Sequence, residues 1–85
     1  MFGERLRRAR TEAGLSQEEV AVRASIHRTE VGLLERGERT PRIDTALKLA
    51  GALEVELEEL LEGIRWKPGE TRLGHFGLPP EASAP

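Results

Sequence analysis

The spacing of apolar residues predicts five short helices in the first 63 residues. Apolar side chains recur every three or four residues within residues 2–13, 16–24, 27–36, 43–53 and 56–61. This period places one apolar stripe of each helix against a core. Because few residues connect the segments, we predict an all-α bundle of five helices. The residues expected to face its core are Phe2, Leu6, Ala9, Ala13, Val20, Ala21, Ala24, Val31, Leu34, Ile43, Ala46, Leu49, Ala50 and Leu53.

Residues 15–37 carry the most specific pattern in the chain. They open with Ser16 and, three residues later, Glu19, which predict a capping box: the serine oxygen and the glutamate each accept the other's backbone N–H. The apolar pattern stops near Ser25 and resumes after His27. Two helices of about two turns, joined by a turn of three or four residues, are typical of a helix-turn-helix. We therefore expect residues 15–37 to be the working part of the protein.

The composition changes after Gly63. Residues 64–85 contain four of the five prolines and show no helical period. We therefore predict a helix-turn-helix domain at residues 1–63 and a C-terminal tail at 64–85. The tail is expected either to cover one edge of the bundle as irregular chain, or to form one or two strands that pair with the tail of a second subunit. Residues 79–85 are expected to be disordered.

Charge is distributed unevenly, although the whole chain carries a net charge of only −2. Residues 1–42 contain nine arginines, no lysine and seven acidic residues, a net charge of +2. Residues 43–85 contain four basic and eight acidic residues, a net charge of −4. This asymmetry predicts a basic surface on the first half. Arginine suits bidentate contact with phosphate or guanine, although a genome rich in G and C would also favour arginine codons.

The composition argues against several other classes of protein. The chain has no cysteine, which excludes disulfides and thiolate metal sites. It lacks an apolar run near the roughly 20 residues that span a bilayer, and its polar start does not resemble a signal peptide. We therefore expect a cytoplasmic protein without a membrane partner. Its two histidines have no companions and no nucleophile–base set is visible, so we expect no metal, no cofactor and no enzymatic activity.

Several motifs resemble those of the Cro/C1-type helix-turn-helix proteins, also called the Xre family. In this sequence they are LSQEEVA at residues 15–21, Val31, LERG at 34–37, Pro41, LA at 49–50, AL at 52–53 and LL at 60–61. The resemblance covers residues 6–61, and the order and spacing of the motifs make it specific. It implies a five-helix, lambda-repressor-like domain that binds double-stranded operator DNA, usually as a symmetric homodimer.

The resemblance also implies roles for individual residues. Gln17, at the start of the second helix, matches a residue that contacts a DNA phosphate through its amide, at a helix end that suits an anion. The outward positions of the recognition helix are matched by Arg28, Thr29, Gly32 and Leu33. The stretch expected to follow the neighbouring DNA backbone contains Arg36, Arg39, Thr40 and Arg42.

The chemistry of these side chains leaves alternatives open. Arg28 is expected to contact either guanine, whose N7 and O6 fit the arginine fork, or a phosphate. Leu33 is expected either to pack on a thymine methyl or to be exposed or partly buried without a role. His27 is expected to cap the helix or to contact a phosphate. Gly32 offers no side chain and leaves a gap in the reading face, so DNA shape is expected to supply part of the specificity.

Other matches concern stability and assembly. Arg10 and Glu35 match a buried ion pair between the first helix and the recognition helix. Ser25 and Glu54 stand where the family often has glycine, and a left-handed backbone at Ser25 would cost about 1 kcal/mol. Dimer contacts are expected from the fifth helix or from the tail, with the candidates Leu57, Leu60, Leu61, Trp66, Leu73 and Phe76.

Two classes of function follow from these patterns. The first is a sequence-specific, DNA-binding transcriptional regulator, most simply a dimeric repressor that reads the major groove with the helix at about residues 27–36. A phage regulator, a restriction-modification controller and an antitoxin are settings that the sequence does not separate. The alternative is a protein-interaction module or antitoxin that keeps the fold and binds a protein partner. Gly32, the overall acidic balance and the unusual tail favour the alternative. The first class is favoured by the arginines Arg28, Arg36, Arg39 and Arg42.

Overall fold

The computed structural model describes residues 1–69 and 74–77. Within these residues the chain forms five helices followed by a two-stranded antiparallel sheet. The elements are α1 (Phe2–Glu12), α2 (Gln17–Ala24), α3 (Arg28–Glu35), α4 (Ile43–Leu53), α5 (Leu57–Leu61), β1 (Arg65–Lys67) and β2 (His75–Gly77). The predicted five-helix fold with a short strand-forming tail is therefore confirmed.

The core is built from one apolar face of each helix. α2 packs against α3 and α4, while α1 packs against α3 and α5. The largest fully buried side chains are Leu6, Val20, Val31, Leu34, Leu49 and Leu60. Burying a side chain of this size contributes roughly 1.5–3 kcal/mol to stability. Because α3 contacts both α1 and α2, the core fixes the position of the second helix of the helix-turn-helix.

Two residues predicted to face the core are exposed. Ile43 is the first residue of α4 and is 70% exposed. Ala13 follows the last residue of α1 and is also exposed. At both positions the apolar period continues to the very end of a helix, beyond the residues that a neighbouring helix covers. The prediction of burial is therefore wrong at these two helix ends.

Local hydrogen bonds set the ends of α2. Ser16 Oγ accepts from the backbone N–H of Glu19 at 3.0 Å, and Glu19 Oε1 accepts from the N–H of Ser16 at 2.8 Å. The predicted capping box is thus present. At the other end Ser25 adopts the left-handed conformation, with φ 57° and ψ 43°. The N–H of Ile26 then donates to the carbonyl of Ala21 at 3.0 Å, which closes the helix before the turn into α3.

α1 approaches α3 closely at Gly3. A Cβ atom added to Gly3 would lie 2.3 Å from the carbonyl oxygen of Leu34 and 2.6 Å from that of Glu35. Both oxygens belong to the backbone, so neither can move aside cheaply. A glycine at this position lets the first turn of α1 lie directly against the last turn of α3.

The two strands of the tail pair with each other. Trp66 of β1 lies opposite Phe76 of β2, and the two rings meet edge to face with centroids 5.1 Å apart. The strands expected in the tail are therefore present, and β1 pairs with β2 of the same chain. The expectations for Leu73 and for disorder at residues 79–85 lie outside the described residues.

Candidate nucleic-acid interface

A buried ion pair joins α1 to α3 beneath the candidate interface. Arg10 donates from Nε to Glu35 Oε2 at 2.6 Å and from Nη2 to Oε1 at 3.1 Å. The two side chains expose only 15% and 4% of their surfaces. The hydrogen bond to Glu35 raises the pKa of Arg10 above its ordinary value, against the opposing effect of burial. Arg10 Nη1 also donates to the carbonyl of Leu15 at 2.9 Å, which ties the start of α2 to the same pair.

Gln17 is oriented by the same carboxylate. Its Nε2 donates to Glu35 Oε1 at 3.0 Å, and the side chain is half-buried at the first residue of α2. An amide nitrogen carries two hydrogens, so one donor remains after this bond is made. Glu35 therefore orients Gln17 and leaves its second amide hydrogen free to donate to a ligand. This hydrogen lies at a helix N-terminus, where the backbone dipole also favours an anion.

The first turn of α3 presents polar side chains to solvent. Arg28 and Thr29 are both exposed, and Arg28 makes no ion pair within residues 1–69 and 74–77. His27 is the N-cap residue, but its side chain makes no capping hydrogen bond, so the expectation of a side-chain cap is wrong. Leu33 is half-buried. Arg28 and Thr29 are therefore the polar side chains of α3 that are accessible to a ligand at its first turn.

Gly32 does not leave an open gap, because Arg36 covers it. A Cβ on Gly32 would lie 3.1 Å from Arg36 Nη1 and 3.8 Å from Gln17 Oε1, and the glycine itself is buried. The Nε of Arg36 donates to a carboxylate oxygen of Glu38. A polar depression of about 220 Å³ lies at this position. It is lined by Gln17, Arg28, Thr29, Gly32 and Arg36. The structure thus brings five of the predicted interface residues together.

The loop after α3 carries two further arginines, and each has an acidic partner. Arg39 Nη1 lies 2.6 Å from Glu30 Oε1, and Arg42 Nε lies 3.4 Å from Asp44 Oδ1. Both arginines and Thr40 are exposed. Exposed ion pairs typically contribute only 0–1 kcal/mol, so a DNA phosphate can replace either carboxylate at little cost.

The residues predicted for a dimer contact occupy different environments. Leu60 is 1% exposed and packs in the core, so its predicted place on a dimer surface is wrong. The short α5 turns Leu60 toward α1, whereas Leu57 is partly buried at the margin of the same core. Leu61, Trp66 and Phe76 are 40%, 56% and 59% exposed. Among the candidates that the structure describes, these last three are the ones with exposed side chains available for a contact.

An apolar groove of about 390 Å³ runs between the starts of α1 and α4, the end of α5 and β2. It is lined by Met1, Phe2, Thr40, Pro41, Ile43, Ala46, Leu61, Ile64 and Phe76. Leu61 and Phe76 were predicted as contact residues, but the sequence gives no sign that Met1 and Ile43 join them. Residues 2–13 and 43–53 are predicted as separate helices, and their starts meet only in the folded chain.

Two other features are absent from the described residues, a metal-binding cluster and a membrane-spanning helix. Within residues 1–69 and 74–77, no group of three or more His, Asp or Glu side chains could hold a metal ion. In the same part of the chain, no helix is both long enough and apolar enough to cross a membrane.

Comparison with known proteins identifies the family. A helix-turn-helix family profile matches residues 6–60, which is more than half of the chain. The chain belongs to this helix-turn-helix family. The resemblance to the Xre type is thereby confirmed, and the match begins within α1 and ends within α5.

Relatives of this helix-turn-helix protein include restriction-modification controllers. The control protein C.BamHI of Bacillus amyloliquefaciens is 35% identical over 63 residues, which cover 73% of this chain and 78% of the relative. The crystal structure of the controller protein C.AhdI from Aeromonas hydrophila matches at 49% identity and a TM-score of 0.68, covering 69% of this chain and 89% of that one. SinR of Bacillus subtilis, solved in complex with DNA, matches at 30% identity and a TM-score of 0.70, covering 73% and 100%.

One feature of this helix-turn-helix interface is missed by reasoning from sequence. The resemblance assigns Arg36 to the neighbouring DNA backbone, whereas the structure places its Nη1 over Gly32 beside Arg28 and Thr29. The available signal is the four-residue spacing from Gly32 to Arg36, which puts the two residues on one face of a helix. Glu38, the partner of Arg36, gives no sequence signal because it follows the end of the helix.

Proposed function

We propose that this protein is a sequence-specific DNA-binding transcriptional regulator that inserts α3 into the major groove. The observation that carries the proposal is the exposed pair Arg28 and Thr29 at the first turn of α3, beside the oriented amide of Gln17. The major groove admits an α-helix, and the N-terminal residues of a recognition helix approach the base edges. Arg28 is charged and has no acidic partner among the described residues, so a base or a phosphate can accept its donors.

Contacts with the DNA backbone follow from the flanks of α3. Gln17 offers a donor at the N-terminus of α2 on one side. Arg39, Thr40 and Arg42 lie in the exposed loop on the other side. The solved complex of SinR with DNA, at 30% identity, supports DNA as the partner of this fold. In this arrangement α3 reads the bases while α2 and the loop fix its position on the phosphates.

Binding to DNA duplexes at several salt concentrations tests the proposal. A pool of randomised duplexes first supplies a selected site, and fluorescence anisotropy then measures affinity for it. Arg28→Ala is expected to weaken binding to that site by about 1–3 kcal/mol without changing the thermal unfolding. Lys48→Ala, which removes an exposed charge from α4, is the matched control and should leave affinity almost unchanged. Absence of binding to any duplex at about 50 mM salt would contradict the proposal and favour a protein-interaction module.

We propose that the protein acts as a homodimer and that a second copy occupies the apolar groove. The groove is lined in part by Thr40 and Pro41, which lie in the loop between α3 and α4, so a contact there includes part of the proposed DNA-binding loop. At the edges of the groove, Ile43 is 70% exposed and Phe76 is 59% exposed. Contiguous apolar surface that faces only water is unfavourable, so these side chains favour burial against a partner. A two-fold dimer would place its recognition helices about 34 Å apart, one turn of DNA.

Sedimentation equilibrium tests the dimer surface. Ile43→Glu should shift the protein to monomer, because it places a charge among the apolar residues that line the groove. Val22→Glu is the matched control, since Val22 is 74% exposed on α2 and lies outside the groove. A dimer that survives Ile43→Glu would exclude this surface.

Among the biological settings, we propose a restriction-modification controller acting in the bacterial cytoplasm. The 49% identity to the controller C.AhdI and the 35% identity to C.BamHI support this setting. A reporter fused to the promoter beside the selected site should respond to the protein, and genes for an endonuclease and a methyltransferase should lie next to it. A site beside genes of another kind would argue against this setting while leaving the DNA-binding proposal intact.

A further inference from the structure

Gly32 and Arg36 share one volume on the outward face of α3. A long side chain on a helix leans toward the helix N-terminus and covers the turn that precedes its own Cα. Arg36 does this over Gly32, since its Nη1 lies 3.1 Å from the point that a Cβ of Gly32 would occupy. The guanidinium of Arg36 therefore stands where the side chain of residue 32 would otherwise stand. That position belongs to the face that the resemblance assigns to base reading.

Glu38 leaves the end of the guanidinium available. The Nε of Arg36 donates to Glu38, and neither Nη1 nor Nη2 donates to any residue in the described part of the chain. A guanine edge presents two acceptors, O6 and N7, which two guanidinium donors satisfy at once. A side chain held at Nε and open at both terminal nitrogens has the geometry that this contact requires.

The residues around Arg36 include those proposed to contact bases and not those of the loop proposed to contact phosphates. Together with Arg28, Thr29 and Gln17 it lines the depression of about 220 Å³. Gln17 Oε1 approaches the same Cβ point to 3.8 Å. By contrast, Arg39 pairs with Glu30 outside this depression. The two arginines thus differ in position although both follow the middle of α3.

We propose that Arg36 is a specificity-determining residue whose guanidinium, lying over Gly32 and held by Glu38, reads a guanine in the major groove. The inference rests on the proposed DNA-binding function and goes beyond it, because it moves Arg36 from the phosphate contacts to the base contacts. It also gives Gly32 a role, because the absence of a side chain at position 32 leaves room for the guanidinium of Arg36.

A selection from randomised duplexes tests the inference with the full chain and three variants. Arg36→Lys keeps the charge but cannot make the two-pronged contact. Gly32→Leu fills the space with a side chain that cannot donate, and so displaces the guanidinium of an unmutated Arg36. Arg8→Lys is the matched control, since it makes the same exchange at an exposed position of α1 outside the depression. Thermal unfolding checks that each variant folds. If Gly32→Leu does not fold, the result for Arg36→Lys alone tests the inference.

The wild-type protein should select guanine at a defined position of each half-site. Arg36→Lys and Gly32→Leu should lose that preference at the same position and bind the wild-type site roughly tenfold more weakly or worse. Arg8→Lys should retain the whole selected sequence. Affinity of Arg36→Lys for random duplex should change little, because its charge is kept.

Two results would overturn the inference. If Arg36→Lys selects the same sequence with the same preference at every position, Arg36 does not read a base. If it loses affinity equally for selected and random duplexes, Arg36 contacts phosphate. Failure of the wild-type protein to select any sequence is distinguishable from both, since it overturns the proposed function together with this inference.

Discussion

Removing either partner of the buried Arg10–Glu35 pair should destabilise the domain severely. Glu35 accepts three hydrogen bonds, two from Arg10 and one from Gln17, and its side chain is only 4% exposed. Arg10→Ala deletes two of the three and leaves a buried carboxylate with a neutral amide as its one remaining partner. Breaking a buried pair in this way costs about 3–5 kcal/mol in the free energy of unfolding. Small domains have only about 5–15 kcal/mol in total, so a large part of the stability is lost.

The structure also predicts an asymmetry between the two single variants. Glu35→Ala leaves Arg10 with its hydrogen bond to the carbonyl of Leu15 at 2.9 Å, and Arg10 is 15% exposed rather than 4%. The long arginine side chain can extend its charged end toward water. Glu35→Ala should therefore cost less than Arg10→Ala. The double variant Arg10→Leu with Glu35→Leu should cost much less than the sum of the single variants, because no buried charge is left behind.

Thermal and urea unfolding, followed by circular dichroism at the helix band, provide the measurement. A loss of 3–5 kcal/mol corresponds to a decrease in Tm of roughly 10–40 °C for a domain of this size. Arg42→Ala is the control: its pair with Asp44 spans 3.4 Å at 86% and 54% exposure and should contribute about 0–1 kcal/mol. Single variants that cost less than about 1 kcal/mol, or a double variant that costs their full sum, would refute the reasoning.

Three further substitutions probe other parts of the fold. Gly3→Ala should lower stability by about 1–3 kcal/mol, because its Cβ would lie 2.3 Å from the carbonyl oxygen of Leu34; an unchanged Tm would mean that α1 can move away freely. Ser25→Gly should raise stability by about 0.5–1 kcal/mol, since glycine relieves the left-handed backbone at φ 57° but loses more chain entropy; a lower Tm would contradict this. Glu19→Gln should flatten the fall of Tm in acid. Its pKa is lowered from 4.5 by the backbone and side-chain hydrogen bonds to Ser16. The stabilisation is therefore complete above the unfolded pKa and is lost as pH falls through the lower folded pKa. Equal Tm profiles for both proteins between about pH 5 and pH 2 would contradict that assignment.

Periodicity and local capping signals were sufficient to predict the helices. The capping box at Ser16 and the break at Ser25 are set by neighbours in sequence, so they can be read without knowing the fold. The same holds for the stripe that buries Val31 and Leu34 on one side of α3. Such features depend on residues within one or two helical turns. The family resemblance adds the pairing of Arg10 with Glu35, which periodicity alone does not give.

Features that arise between elements were not predictable in the same way. Ile43 looks like a core residue by its spacing, but its exposure depends on what lies beside the start of α4. Leu60 looks like a surface contact, yet it completes the core because α5 packs against α1. The apparent gap at Gly32 depends on the rotamer of Arg36 and on Glu38 beyond the helix end. In each case the exposure of the residue depends on which side chains of other elements lie beside it. The spacing of apolar residues along the sequence does not encode those contacts.

The shared volume of Gly32 and Arg36 constrains how the recognition helix can change during evolution. A larger residue at position 32 displaces a long residue at position 36, because the two would meet at a Cβ-to-nitrogen distance of 3.1 Å or less. A change at one position therefore favours a compensating change at the other, and the combined side-chain size should vary less than either size alone. Redesign of DNA preference on this fold should accordingly randomise the two positions as a pair. Libraries that vary position 32 alone would contain mainly variants in which the guanidinium of Arg36 is displaced.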